Sequence, residues 1–121
     1  MSAVLAAARG GAQAVILLHG APASEQFGIT RWPALAPVQI HFMLGDRWRS
    51  NAAIGRLSRL VKASGAECSI FDCPGSAHLF AAPSLPAEYD PEATELMLRR
   101  VLNLLSKLNG RQAPLAAAAQ Q

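Results

Sequence analysis

The sequence predicts an α/β fold, about three parallel strands with helices flanking them. Three observations lead there. Apolar runs of strand length alternate with segments of helical periodicity, an order that favours a parallel sheet covered by helices. One run, Ala14-Val15-Ile16-Leu17-Leu18, is continuously apolar, as a strand buried on both faces is. Finally, 51% of the 121 residues are hydrophobic and 16% are charged, which excludes a disordered chain and allows one domain with a substantial core.

Taken in order, Met1 to Ala8 is apolar and alanine-rich, a short helix ended by Arg9-Gly10-Gly11. It lacks the basic start of a signal peptide. The Ala14–Leu18 run is too short for a helix and has glycines on both sides, so it reads as the first strand. From Gly20 to Pro37 four residues, Pro22, Gly28, Pro33 and Pro37, interrupt any periodicity; this is a long loop, which in a compact domain points to a functional role or a pocket wall. Val38 to Leu44 is the second strand, with Val38, Ile40, Phe42 and Leu44 on one face and Gln39, His41 and Met43 on the other. Asn51 to Ser64 carries Ile54, Leu57, Leu60 and Val61 on one stripe and is a helix closed by Ser64-Gly65. Glu67 to Phe71 alternates polar and apolar residues and is the third strand, broken by Pro74 and Gly75. Asp90-Pro91 is a helix start, a capping carboxylate followed by proline at the first position. The helix is expected to bury Leu96, Val101, Leu104, Leu105 and Leu108 and to end at Lys107 and Asn109-Gly110. Residues 1–109 thus form the domain, and 110–121, an alanine run closed by two glutamines, a flexible tail.

Composition narrows the partners. The net charge is +3, and Arg47, Arg49, Arg56, Arg59 and Lys62 fall on one segment. They have no aromatic interleaving and match no nucleic-acid module, so they read as a solvated helix face and no nucleic-acid partner is expected. No apolar run approaches the roughly 20 residues of a membrane span; a soluble protein with no membrane partner is expected. Cys68 and Cys73 form neither a disulfide framework nor a metal-ligand set, and with the three histidines show no ligand spacing. Neither metal nor organic cofactor is called for, and two free thiols suggest a reducing, cytoplasmic setting.

In open parallel sheets functional groups gather beyond the carboxyl ends of the strands. Asp46 and His78 both stand there, one just past the second strand, the other three residues beyond Gly75 in a loop stiffened by Pro74. A carboxylate beside an imidazole fixes its tautomer and stabilises its cation, the arrangement a general base requires. His41, in the middle of its strand, reads instead as a buried histidine satisfied by a neighbour.

These pieces resemble a known family. Ala14-Val15-Ile16-Leu17-Leu18-His19-Gly20, Pro37 to Phe42 leading into Gly45-Asp46, Pro74-Gly75-Ser76-Ala77-His78-Leu79-Phe80 and Tyr89 to Thr94 occur in the order and separation seen in the C-terminal portion of α/β-hydrolases, and more closely of dienelactone hydrolases. The resemblance implies a partial α/β-hydrolase fold, Asp46 as the acid and His78 as the base of a nucleophile-His-Asp triad, and a small-molecule ester or lactone as substrate. Family members carry a Cys or Ser nucleophile in a G-x-C/S-x-G elbow, and no such pattern occurs here. Met1 to Ala8 would correspond to the helix after the elbow, placing the nucleophile a few residues before Met1. Ser2 is the nearest hydroxyl but lacks the flanking glycines. Ser24, Ser50 and Ser76 lie where no sharp strand-to-helix turn is expected, and Cys73 is a remote candidate. The isolated chain is therefore expected to be inactive.

Trp32 and Trp48, on loops beside these positions, are candidates for a pocket wall, Trp48 as a substrate-binding residue, although packing would explain it as well. An apolar Ala14–Leu18 strand left at an open sheet edge would invite self-association. Two other readings remain: a non-catalytic remnant that binds a small ligand near Asp46 and His78, and a half-domain that pairs with a separate N-terminal half.

Overall fold

A computed structural model describes residues 3–10 and 12–119. Helix α1 (Ala3–Ala8) leads into strand β1 (Val15–Leu18); Met1 and Ser2, the start of the predicted helix and its hydroxyl candidate, lie outside the described residues. Strand β2 (Val38–Met43), helix α2 (Asn51–Ala63), strand β3 (Cys68–Cys73) and helix α3 (Pro91–Ala119) follow. The three strands form one parallel sheet in the order β1-β2-β3, with Val15 opposite Val38 and Val38 opposite Cys68. This is the α/β architecture the alternation of elements predicts.

Local chemistry starts the helices where the sequence places them. The Ser50 hydroxyl accepts the Ala53 N–H at 3.1 Å and caps α2. At the head of α3 the Asp90 carboxylate accepts the Ala93 N–H at 3.0 Å, ahead of Pro91, whose missing N–H costs nothing there.

Alternation along β2 sorts its side chains to two faces, and every residue of the strand is buried. Val38, Ile40 and Phe42 join Val4 and Ala7 of α1 and Ile54, Leu57 and Val61 of α2 in the main core. On the other face Met43 packs with Cys73, Phe80, Ala93 and Met97 in a smaller cluster under α3.

Several boundaries differ from expectation. Strand β3 starts at Cys68 and runs on through Asp72 and Cys73, because these pair with Phe42 and Met43 before Pro74 breaks the ladder. Leu44 is exposed, since β2 ends at Met43 and the chain turns outward. On α3 the buried stripe is Ala93, Met97 and Leu104, with Val101 partly covered. Leu96 and Leu105 are exposed rather than inward; at roughly 100° per residue they sit some 80–100° from the centre of that stripe. The backbone of α3 stays helical past Asn109-Gly110 to Ala119, through a segment rich in alanine, the strongest helix former.

The long loop after β1 is more ordered than its composition predicts. It contains a short 3-10 helix, Ser24–Phe27, tied to α2 by an ion pair between Glu25 and Arg56. Trp32 is buried in the main core, with its Nε1–H donated to the Ala36 carbonyl at 2.7 Å. Trp32 is therefore a core residue, and the cavity it borders, with Thr30, Arg31, Leu60, Ala63 and Ser64, includes neither Asp46 nor His78. Among the described residues no helix is long and apolar enough to cross a membrane.

Candidate functional site

The carboxyl ends of the strands meet where two glycines let the backbones touch. The Gly45 N–H donates to the Gly75 carbonyl at 2.8 Å. A Cβ on Gly45 would lie 2.9 Å from that oxygen and 3.2 Å from the Ser76 Cβ, so no larger residue fits without displacing the loop. Gly75 has a φ of +132°, and a Cβ there would meet the Met43 sulfur at 2.7 Å. This close approach draws the residue after Gly45 towards the loop that carries His78.

Asp46 and His78 are brought together. Nδ1 of His78 lies 2.6 Å from Oδ2 of Asp46, whose side chain is 1% exposed against 35% for His78. An ionised carboxylate only accepts, so Nδ1 carries a proton and, in the neutral ring, Nε2 is left bare on the solvent side. The other oxygen of Asp46, Oδ1, accepts the Trp48 N–H at 2.8 Å. Both carboxylate oxygens are thus engaged, which holds the group in one orientation. The loop bearing His78 is fixed as well: its N–H donates to Glu88 Oε2 at 2.9 Å, and the Phe80 carbonyl accepts from Asp90 N–H and from Thr94 Oγ1. A buried carboxylate locked to a half-exposed imidazole can take a proton from a group placed at Nε2 and stabilise the resulting cation.

The carboxyl end of β1 also brings a side chain to the site, one that the sequence reading missed. His19, directly after β1, brings its ring to 5.7 Å from that of His78, centroid to centroid, and packs edge-on to Phe80 at 5.1 Å. Its pKa is lowered, first by burial and then by the neighbouring His78, with Asp46 and a hydrogen bond to the His78 backbone opposing. Glu88 is the other participant not foreseen. Its contact closes a loop of no regular structure, for which the sequence carries no periodic signal.

Other candidates are placed elsewhere. Trp48 is 68% exposed beside Asp46, with the Arg47 guanidinium 5.1 Å over its ring, so it does not serve packing. Cys73 is buried in the cluster under α3, where burial pushes its thiol pKa up and away from the reactive thiolate. Ser50 is engaged as the cap of α2, Ser24 is buried at the start of the 3-10 helix, and Ser76 is exposed in the loop. Of the described residues, Asp46 is the one side chain that hydrogen-bonds the His78 ring. His41 is fully buried, 3.0 Å from Gln39 Oε1 and stacked on Phe71 with ring centroids 5.0 Å apart. It is the buried structural histidine expected of a mid-strand position, though it is satisfied at Nε2 only, since its Nδ1 is buried without a partner. Among the described residues no group of three or more His, Cys, Asp or Glu side chains is placed to hold a metal ion.

Comparison with known proteins gives one strong match. The profile of the dienelactone hydrolase family matches residues 1–109. Among solved structures, a Klebsiella pneumoniae protein provisionally named a dienelactone hydrolase is similar at 24% identity and a TM-score of 0.49, over 56% of this chain and 28% of that one. The chain therefore spans less than a third of that protein's length. No curated protein matches.

Proposed function

This chain belongs to the dienelactone hydrolase family, and from that premise we propose that it carries the acid and the base of a nucleophile-His-Asp site hydrolysing a small ester or lactone. His78 Nε2 takes the proton of the attacking hydroxyl or thiol as it adds to the substrate carbonyl, and later returns it to the leaving alcohol. Asp46 holds the ring in the tautomer this requires and stabilises the imidazolium. The observation that carries the reading is the 2.6 Å contact between the buried Asp46 carboxylate and His78 Nδ1. Trp48, exposed beside Asp46, lines the substrate side. A cytoplasmic setting fits the two free thiols.

The sequence holds no G-x-C/S-x-G elbow, and on that ground this chain alone does not acylate. A fluorophosphonate probe and iodoacetamide are expected to leave every residue near His78 unlabelled; specific labelling there would overturn the inactivity. The acid–base pair is read by 1H–15N spectra of the imidazoles. His78 is expected as a single Nδ1–H tautomer with a strongly downfield Nδ1 proton, and Asp46→Asn is expected to abolish both. A tautomer mixture in the unaltered chain would sink the pair.

A second reading rests on a separate observation. β1 forms one edge of the sheet, Ile16 is partly exposed and Leu18 is 40% exposed. Such an edge offers unpaired backbone groups to another strand, which supports self-association through Ala14–Leu18 or pairing with a separate half-domain. Sedimentation of the chain against Leu18→Lys tests self-association. The unaltered chain is expected to associate and the variant to shift towards monomer; two identical monomeric profiles would refute it.

A further inference from the structure

The end of β1 holds a residue in an unusual conformation. His19 has a φ of 73°, within the left-handed region that non-glycine residues seldom occupy. Its N–H and that of Gly20 converge on the His41 carbonyl, at 2.7 and 3.3 Å, so the kink is pinned to β2. Backbone strain that the surroundings hold in place points to a use for the side chain it aims. Here the ring is aimed across the strand ends at His78, tilted 52° to that ring.

The ring rests on a fixed surface. It meets Phe80 at an interplanar angle of 79°, an edge-to-face contact, and Phe80 is fully buried. Nδ1 of His19 is buried without a hydrogen-bond partner. Asp46 grips His78 through one ring nitrogen only. A ring held by a single hydrogen bond can still swing about it. A second contact, to the same ring, restricts that swing.

We propose that His19 is a positioning residue for His78. It packs against the imidazole, so that Nε2 keeps one direction while Asp46 holds Nδ1. It touches no reacting atom itself. The proposal rests on the acid–base reading of Asp46 and His78 and adds to it a partner from the end of β1.

The test uses the full chain labelled with 15N at histidine, and reads the tautomer of His78 and its Nδ1 proton. His19→Asn removes the ring and keeps a residue that tolerates the left-handed conformation. His19→Gly removes the side chain and relieves the backbone, so it retains the fold. Both are expected to average the His78 nitrogen shifts towards a mixture of tautomers and to broaden the downfield proton beyond detection, with the rest of the amide spectrum still dispersed. If His78 keeps its single tautomer and its downfield proton in a folded His19 variant while Asp46→Asn loses them, the acid–base pair stands and the role of His19 falls. If the unaltered chain already shows a mixture, the pair itself fails and His19 has nothing to position.

Discussion

The two faces of the sheet are built on opposite plans. Towards α1 and α2 the sheet buries a continuous apolar layer, with 13 buried residues in one cluster among the described residues. Towards α3 the buried cluster has five of the described residues, and polar groups lie beside it. There Gln39 Nε2 donates to the Arg100 carbonyl at 3.1 Å, Gln39 Oε1 pairs with His41, and the Arg100 guanidinium lies 4.2 Å over the Phe71 ring. The first face stabilises the domain. The second places a loop: Phe80, anchored in the small cluster, is two residues from His78. A domain of this size can afford a less apolar layer on one side only if the other side is well packed.

Cutting a cavity in each layer tests this contrast most severely. Leu57 is fully buried in the main cluster, and Leu57→Ala is expected to cost on the order of 3–5 kcal/mol, near the upper end for such changes. Met97→Ala, in the small cluster, is expected to cost about 2–3 kcal/mol, since a flexible thioether fills an irregular gap that can partly close. Urea unfolding of the two variants measures the difference. Equal costs, or a larger one for Met97, would break the comparison.

The polar layer carries a pH dependence that the apolar one lacks. Burial, and then the Arg100 charge, lower the pKa of His41 to about 4. In the unfolded chain the same ring titrates near its ordinary value of about 6.5. Its contribution to stability is therefore complete above pH 6.5. It is lost as pH falls from there to about 4, because the unfolded chain takes up the proton and the native state does not. At about 1.4 kcal/mol per pH unit the loss is on the order of 3 kcal/mol. His41→Leu is expected to flatten this limb, so that the stability gap between the two proteins shifts in favour of the variant by that amount between pH 7 and pH 4. Parallel pH curves for the two proteins would show that His41 is free to ionise in the native state.

Sequence reading reached the two faces unequally. The main core was legible because continuous apolar runs and one clean helical stripe, Ile54, Leu57 and Val61, admit a single arrangement. The α3 face was not, because leucines at 96, 98, 102, 104, 105 and 108 surround that helix and periodicity alone cannot choose among them. The choice comes from the helix's docking under Met43 and Phe80, a tertiary constraint. At the site, Asp46 and His78 followed from their places at strand ends. His19 occupies an equivalent place, and the same rule would have found it, but its direction depends on a positive φ that no composition signals. Trp32 misled because an aromatic residue in a proline-rich loop suggests a wall of the site, whereas this loop folds back into the core and the cavity beside Trp32 includes neither Asp46 nor His78.

The smallest expected effect lies at the far end of the α3 face. Helix α3 runs to Ala119, the last buried residue among its described side chains is Leu104, and the family match stops at residue 109. If the layer under α3 ends there, residues 110–121 behave as a tail whose order does not depend on the domain. Deleting them is expected to change stability by no more than about 0.5 kcal/mol, as for substitutions away from packed features. For a domain of this size that is a shift of roughly 2–4 °C in Tm. A larger fall would mean that the segment covers part of the α3 face, and the polar layer would then be more shielded than its cluster of five buried residues implies. Deletion combined with His41→Leu separates the two cases: an uncovered layer leaves the pH limb of His41 unchanged when the tail is removed, and a covered one shortens it.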